Sequence, residues 1–205
     1  MIVIIDYGMG NLLSVRKAFH RLNIPAKISS DAAEIRQAEK LILPGVGHFK
    51  RGMQNLEELK LIDVLNKKVL DEGTPILGIC LGMQLFTQHS EEGDVAGLGW
   101  FNAKTIRFHL EKDSRNLRVP HMGWNNIQAA SPNLLFKDIE SDATFYFVHS
   151  YHVVCDEPKD VVATSDYGIR FVSAIGRDNI HGVQFHPEKS QAVGLQILKN
   201  FVEAA

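Results

Sequence analysis

Cys80 lies in Gly78-Ile79-Cys80-Leu81-Gly82, directly after the apolar run Ile76 to Ile79 and ahead of Met83-Gln84-Leu85-Phe86, which has helical character. A cysteine at a strand-to-helix turn is the thiol counterpart of the G-x-S-x-G nucleophile elbow, whose sharp turn pushes the reactive atom out of the sheet. Glycines on both sides would allow that turn, and a helix N-terminus stabilises thiolate. Taken alone, the segment fits a buried structural cysteine equally well.

A thiol nucleophile needs a base, and Gln184-Phe185-His186-Pro187-Glu188 offers one. Two residues apart near a strand end, His186 and Glu188 would face one edge, so His186 could take the thiol proton while Glu188 orients its other nitrogen. The blander reading is a surface His followed by a solvated Glu. Pro44-Gly45-Val46-Gly47 is the third element: it follows the apolar Leu41 to Leu43, and its glycines free the backbone to aim N–H groups at an oxyanion. Alone it would read as a turn. The three together favour acyl transfer through a Cys80, His186 and Glu188 triad.

Such segments need a scaffold that brings strand ends together. Ile2 to Ile5, Leu41 to Leu43 and Ile76 to Ile79 are short apolar runs suited to strands buried on both faces. Between them Leu12, Val15, Phe19 and Leu22, then Leu56, Leu59, Val64 and Leu65, recur at helical spacing, as parallel crossovers require. Thr144 to Val148, Tyr151 to Cys155, Val172 to Ile175 and Ile180 to Phe185 are closely spaced strand candidates, which predicts antiparallel strands appended to the parallel sheet. Ser190 reads as the N-cap of a closing helix with Val193, Ile197, Leu198 and Phe201 on one stripe.

Composition narrows the partners. The 205 residues, 45% hydrophobic and 22% charged, carry no repeat or linker and predict one α/β domain spanning 1–205. The 22 basic and 24 acidic side chains are dispersed, leaving a formal charge of -2 and no basic run to track nucleic acid. No apolar run approaches a membrane span, and the opening apolar stretch ends at Asp6 with no basic residue before it. Cys80 and Cys155 read as reduced thiols, so a cytoplasmic location is expected.

PG-x-G, G-x-C-x-G and H-P-E, in this order and across almost the whole chain, resemble the class I glutamine amidotransferase family. Within it, Asp6-Tyr7-Gly8-Met9-Gly10-Asn11, His121-Met122-Gly123-Trp124-Asn125 and Phe147-Val148-His149-Ser150-Tyr151 are similar to the branch that feeds ammonia to a cyclase. The resemblance implies a flavodoxin-like glutaminase: a mainly parallel central sheet flanked by helices. It also implies a heterodimer with a (β/α) cyclase barrel that consumes a phosphoribosyl intermediate of histidine biosynthesis. Glutamine is the implied substrate, with no cofactor and no metal. The chain shows no Gly-Lys-Ser/Thr phosphate loop, so a separate synthase must take the ammonia.

Carried over residue by residue, the resemblance makes Cys80 the attacking thiol, with the N–H of Leu81 and one from Val46 or Gly47 as the oxyanion hole. Gln84 and Glu92 hold the substrate's amino-acid end, beside Ser150 and Tyr151. Asn11, His121, Trp124, Asn125, Tyr146 and Lys189 face the cyclase. Without the resemblance, Gln84 and Glu92 would read as a solvent face of the helix after Cys80. His152, Cys155, His109 and Glu111 receive no role. Low basal activity that rises with the partner bound is expected.

Other readings compete. Gly8-Met9-Gly10 with Asp31 is half of a dinucleotide fingerprint, but Leu13 stands where the third glycine belongs. His149, His152, His181 and His186 could be metal ligands, but three-residue spacing on a strand would point the first two to opposite faces. A non-catalytic module would be expected to lose a triad member, and none is missing. A related synthase aminating a surface sugar, or a stand-alone γ-glutamyl hydrolase, would use the same site.

Overall fold

A computed structural model describes residues 1–110, 117–130 and 133–203, so Glu111 lies outside the described residues. The first half alternates strand and helix: β1 (Ile2–Ile5), α1 (Leu12–Arg21), β2 (Ala26–Ser29), α2 (Ala32–Arg36), β3 (Lys40–Gly45), α3 (Phe49–Glu58), α4 (Ile62–Asn66), β4 (Ile76–Cys80) and α5 (Leu81–Gln84). The second half is mostly strand: β5 (Thr87–Ser90), β6 (Val95–Ala96), β7 (Phe101–Arg107), β8 (His121–Asn126), β9 (Gln128–Ala129), β10 (Thr144–His149), β11 (Tyr151–Cys155), β12 (Val161–Asp166), β13 (Arg170–Arg177) and β14 (Ile180–Val183). Helix α6 (Gln191–Glu203) follows.

Parallel pairing runs β2-β1-β3-β4-β14, the doubly wound order in which the chain grows outward on both sides of its first strand. Alternation along these strands separates two cores. Ile2, Ile4 and Ile42 share a cluster with Val15 and Phe19 of α1 and Ile197, Leu198 and Phe201 of α6. Val3, Ile5, Leu41 and Leu43 pack with Ile35, Phe49, Leu56 and Leu65 from α2 to α4 on the other face. Strands covered on both sides read as unbroken apolar runs, which is why they were legible.

Past β14 the sheet turns antiparallel through β13, β11 and β7, with β12 paired to β13 and β9 to β12. Two strands differ from expectation. Ile180 to Phe185 is strand only to Val183, and it runs parallel to β4 as the last member of the parallel sheet. β10 does not join that sheet: it pairs with β8 in a separate antiparallel ribbon. Its inward face carries Phe145 and Phe147, which pack on Phe185 and Phe171 at centroid distances of 4.2 and 5.8 Å.

The helix after Cys80 is a single turn, ending at Gln84 before β5 begins. Ser190 does precede α6, and its carbonyl accepts from Gly194, but its hydroxyl serves elsewhere: it donates to the His186 carbonyl (2.6 Å) and accepts from the Tyr146 N–H (3.0 Å). Among the described residues no helix is long and apolar enough to cross a membrane.

Candidate active site

β3, β4 and β14 are adjacent and parallel, so their C-terminal ends open on one edge. Gly45 is in register with Cys80, and Val183 with Ile79. Pairing alone therefore delivers Pro44 to Gly47, Cys80 and Gln184 to Glu188 to one place, where ligands of open α/β sheets bind.

Cys80 has φ 54° and ψ -108°, a left-handed conformation in a non-glycine residue. Such a backbone costs about 1–3 kcal/mol and persists where surrounding structure enforces it. The flanking glycines act differently from the expectation that they loosen the turn: neither has positive φ. A Cβ on Gly82 would collide with the Leu43 carbonyl, and one on Gly78 would come within 2.6 Å of Phe86 and 2.7 Å of the Met83 nitrogen. The strain sits on the cysteine itself, and the glycines let α5 lie against the sheet.

His186 and Glu188 stand beyond the end of β14. A 3-10 turn over Pro187–Lys189, rather than strand alternation, brings the carboxylate back to the ring, with Nδ1 2.8 Å from Glu188 Oε1. Both side chains are buried. Nε2 is buried too, without a conventional hydrogen-bond partner among the described residues, which leaves it for the sulfur. Burial opposes charge on this ring, yet the charge of Cys80, its hydrogen bond and the Glu188 carboxylate outweigh it and push the His186 pKa up to about 10.

A cavity of about 280 Å³ opens over Cys80, lined by Val46, Gly47, Leu81, Gln84, Glu92, Ser150 and Tyr151. Gln84 is buried, not solvent-facing: its Nε2 donates to the Tyr151 carbonyl (3.0 Å) and to Gln184 Oε1 (2.9 Å). Glu92, unlike Gln84, is not on the helix. It lies in the turn after β5, and its Oε2 caps α3 by accepting the Phe49 N–H at 2.8 Å. Pro120, Val148 and His149 also line the cavity, a role the sequence does not assign to them. A larger cleft of about 560 Å³ beside α1 and β2 is lined by Arg16, Lys17, His20 and Lys27, with no cysteine, serine or threonine in its lining.

The structure places His121 away from the surface, which corrects its assignment to a partner face. It is 2% exposed, stacked between Phe147 and Tyr167, with Nδ1 3.0 Å from His149 Nε2. The chain of bonds fixes the tautomers. His149 Nδ1 must donate to the Tyr151 carbonyl at 2.7 Å, so its Nε2 accepts from His121 Nδ1. His121 Nε2 then accepts from Asn125 Nδ2 at 3.4 Å, and that amide also donates to the Asp166 carbonyl at 2.8 Å. Burial lowers the His121 pKa to about 4 and that of His149 to about 3.

Other partner-face candidates are exposed or half-buried. Trp124 is 49% exposed and meets Tyr146 edge-on at 5.9 Å, and Lys189 Nζ lies 5.6 Å over the Tyr146 ring. Asn11 is exposed but also caps α1, accepting from the Ser14 N–H at 3.3 Å. Met122, 61% exposed beside Trp124, was missed, although alternation along β8 sends Met122 and Trp124 outward and His121 inward.

The competing sites lose their support. Asp31 has a structural task, since its Oδ1 caps α2 by accepting the N–H groups of Ala33 and Glu34. His149 and His152 do not diverge, because Ser150 separates their strands and both rings pack on Phe108, at 5.1 and 4.6 Å. Among the described residues no three His, Cys, Asp or Glu side chains are placed to share a metal.

Comparison with known proteins agrees with the geometry. The class I glutamine amidotransferase family pattern matches residues 3–205. Imidazole glycerol phosphate synthase subunit HisH 2 of Methanococcus maripaludis is 51% identical, covering 100% of both chains. The subunit of the same name from Pseudomonas aeruginosa is 46% identical over 99% of each. A solved glutamine amidotransferase shares the fold at 18% identity, with a TM-score of 0.71 over 99% of this chain and 98% of that one. With the family pattern covering nearly the whole chain and relatives at this identity over their full length, this chain belongs to the class I glutamine amidotransferases.

Proposed function

We propose that the chain hydrolyses glutamine to glutamate and ammonia and passes the ammonia to a cyclase subunit of imidazole glycerol phosphate synthase. Cys80 Sγ attacks the side-chain carboxamide carbon. His186, holding the thiol proton, delivers it to the departing nitrogen, and Glu188 keeps the ring in place. Ammonia leaves, a γ-glutamyl thioester remains on Cys80, and water deprotonated by His186 releases glutamate.

The N–H of Leu81 and one from Val46 or Gly47 stabilise the oxyanion, a contact typically contributing about 3 kcal/mol. Glu92 attracts the substrate ammonium with the oxygen not spent on Phe49. Gln84, whose amide hydrogens are committed, offers its carbonyl, and Ser150 and Tyr151 complete the pocket. We read residues 1–205 as one glutaminase domain acting in the cytoplasm, where reduced thiols persist.

Trp124, Tyr146, Lys189, Asn11 and Asn125 form the cyclase-facing side, with an aromatic anchor suited to a hot spot. Docking there raises a low basal rate. The observation carrying the reading is the His186–Glu188 pair beside a strained, cavity-facing Cys80. Glutamate release by wild type and Cys80→Ala, each with and without the cyclase and its nucleotide ligand, tests it. Cyclase-stimulated release that requires Cys80 is expected; Cys80-dependent release indifferent to the cyclase would point to another acceptor, and release surviving Cys80→Ala would refute the triad.

A further inference from the structure

We propose that Gln184 is a further catalytic residue, donating an amide N–H to the Cys80 sulfur to favour its anionic form, with Gln84 the positioning residue that decides which end of that amide meets the sulfur. The proposal rests on Cys80 being the nucleophile. Gln184 is wholly buried, and its Nε2 lies 3.6 Å from Sγ.

A buried amide can present either end, so the orientation must come from its neighbours. The Tyr151 backbone carbonyl only accepts, so the end of Gln84 lying 3.0 Å from it is the NH2 group. That same nitrogen is 2.9 Å from Gln184, which must answer with its carbonyl oxygen. The NH2 of Gln184 is thereby turned to the sulfur. Reversing it would set two donors face to face and a carbonyl against a thiolate. The backbone is pinned as well, since Gln184 N–H donates to the Ser173 carbonyl at 2.9 Å.

On another side of the sulfur the Val148 carbonyl lies at 3.8 Å, an acceptor suited to S–H. The sulfur thus sits between an acceptor for the thiol and a donor for the thiolate, and hydrogen bonds to a charged partner are the stronger kind. In the reaction, thioester formation removes the sulfur's charge. When the second tetrahedral intermediate collapses, the C–S bond breaks, its electron pair returns to sulfur, and the Gln184 N–H is in place to receive it. His186 retains the proton transfers.

The groups facing the sulfur are His186 with Glu188 behind it, Tyr7 from the chain after β1, and Glu92 and His149 in the cavity wall. All are kept in the test variants. The measurement is iodoacetamide alkylation of Cys80 in the full chain from about pH 5 to about pH 10, followed on the Cys80 peptide so that Cys155 does not contribute. In Gln184→Met the alkylation midpoint rises by about one pH unit, slowing reaction below it roughly tenfold. Gln184→Glu raises it further. Gln84→Met, which keeps Gln184 but frees its amide to turn, raises it less. Superimposable profiles for folded Gln184→Met and wild type, even with slower glutamate release, would overturn the proposal. Should Gln184→Met not fold, an unshifted profile in Gln84→Met would overturn it instead.

Discussion

His186 and the pair His121 and His149 are buried to nearly the same degree, at 1%, 2% and 6% exposure, yet the protein holds them in opposite charge states. His186 lies between a thiol that ionises and a carboxylate, and its pKa is pushed up to about 10 despite burial. His149 faces a backbone carbonyl and another imidazole, and burial holds it neutral, with its pKa down to about 3. The two sites feel each other, since the charge on His186 helps keep His149 neutral. Burial by itself leaves a ring neutral, and formal negative charge beside the ring overrides it. The charged ring serves chemistry, and the neutral pair braces the cavity wall at Ser150 and Tyr151.

The comparison is broken most severely by removing the negative partners. Cys80→Ala abolishes glutamate release, by a factor on the order of 10⁵ or more, and lowers the His186 pKa in an NMR titration. Glu188→Gln leaves the thiol but takes away the carboxylate that selects the tautomer, and turnover falls on the order of 10³- to 10⁴-fold.

Stability against pH sharpens the contrast at smaller scale. The folded values of His121 and His149, about 4 and about 3, lie below their value near 6.5 in an unfolded chain. The unfolded state therefore binds more protons as pH falls below about 6.5, and stability drops by about 1.4 kcal/mol per pH unit for each such ring. His152 and His181, also lowered by burial, add to the slope. His186 does not, because its folded pKa is raised: its contribution is full below about 6.5 and is lost as pH rises toward about 10. Urea unfolding between about pH 6.5 and about pH 4.5 measures this, and His121→Phe reduces the slope by about one proton. The smallest signal is the tautomer: nitrogen-15 shifts at neutral pH should show both His121 and His149 as neutral, Nδ1-protonated rings.

The sequence was most readable where strands are buried on both faces. Ile2 to Ile5 and Ile76 to Ile79 announce themselves as apolar runs, whereas Phe101–Arg107 alternates with Asn102 and Lys104 and was passed over. The motif residues were legible as chemistry, but their geometry was not. His186 and Glu188 meet through a 3-10 turn that spacing cannot show, and Glu92 reaches the cavity from a turn rather than a helix. His121 reads as surface from its motif because only the pairing of β8 with β10 reveals which face is covered. Gln184 carried no signal beyond adjacency to the motif, since its partners Gln84 and Cys80 are about a hundred residues away in the chain.

The central claim is that Cys80 carries the glutamyl group, and the most direct measurement is the mass of the chain quenched in acid during turnover with glutamine and the cyclase. The account predicts a γ-glutamyl adduct on the peptide containing Cys80, absent in Cys80→Ala and accumulating when hydrolysis is slowed. An adduct on any other residue, or sustained ammonia release by Cys80→Ala, would contradict it.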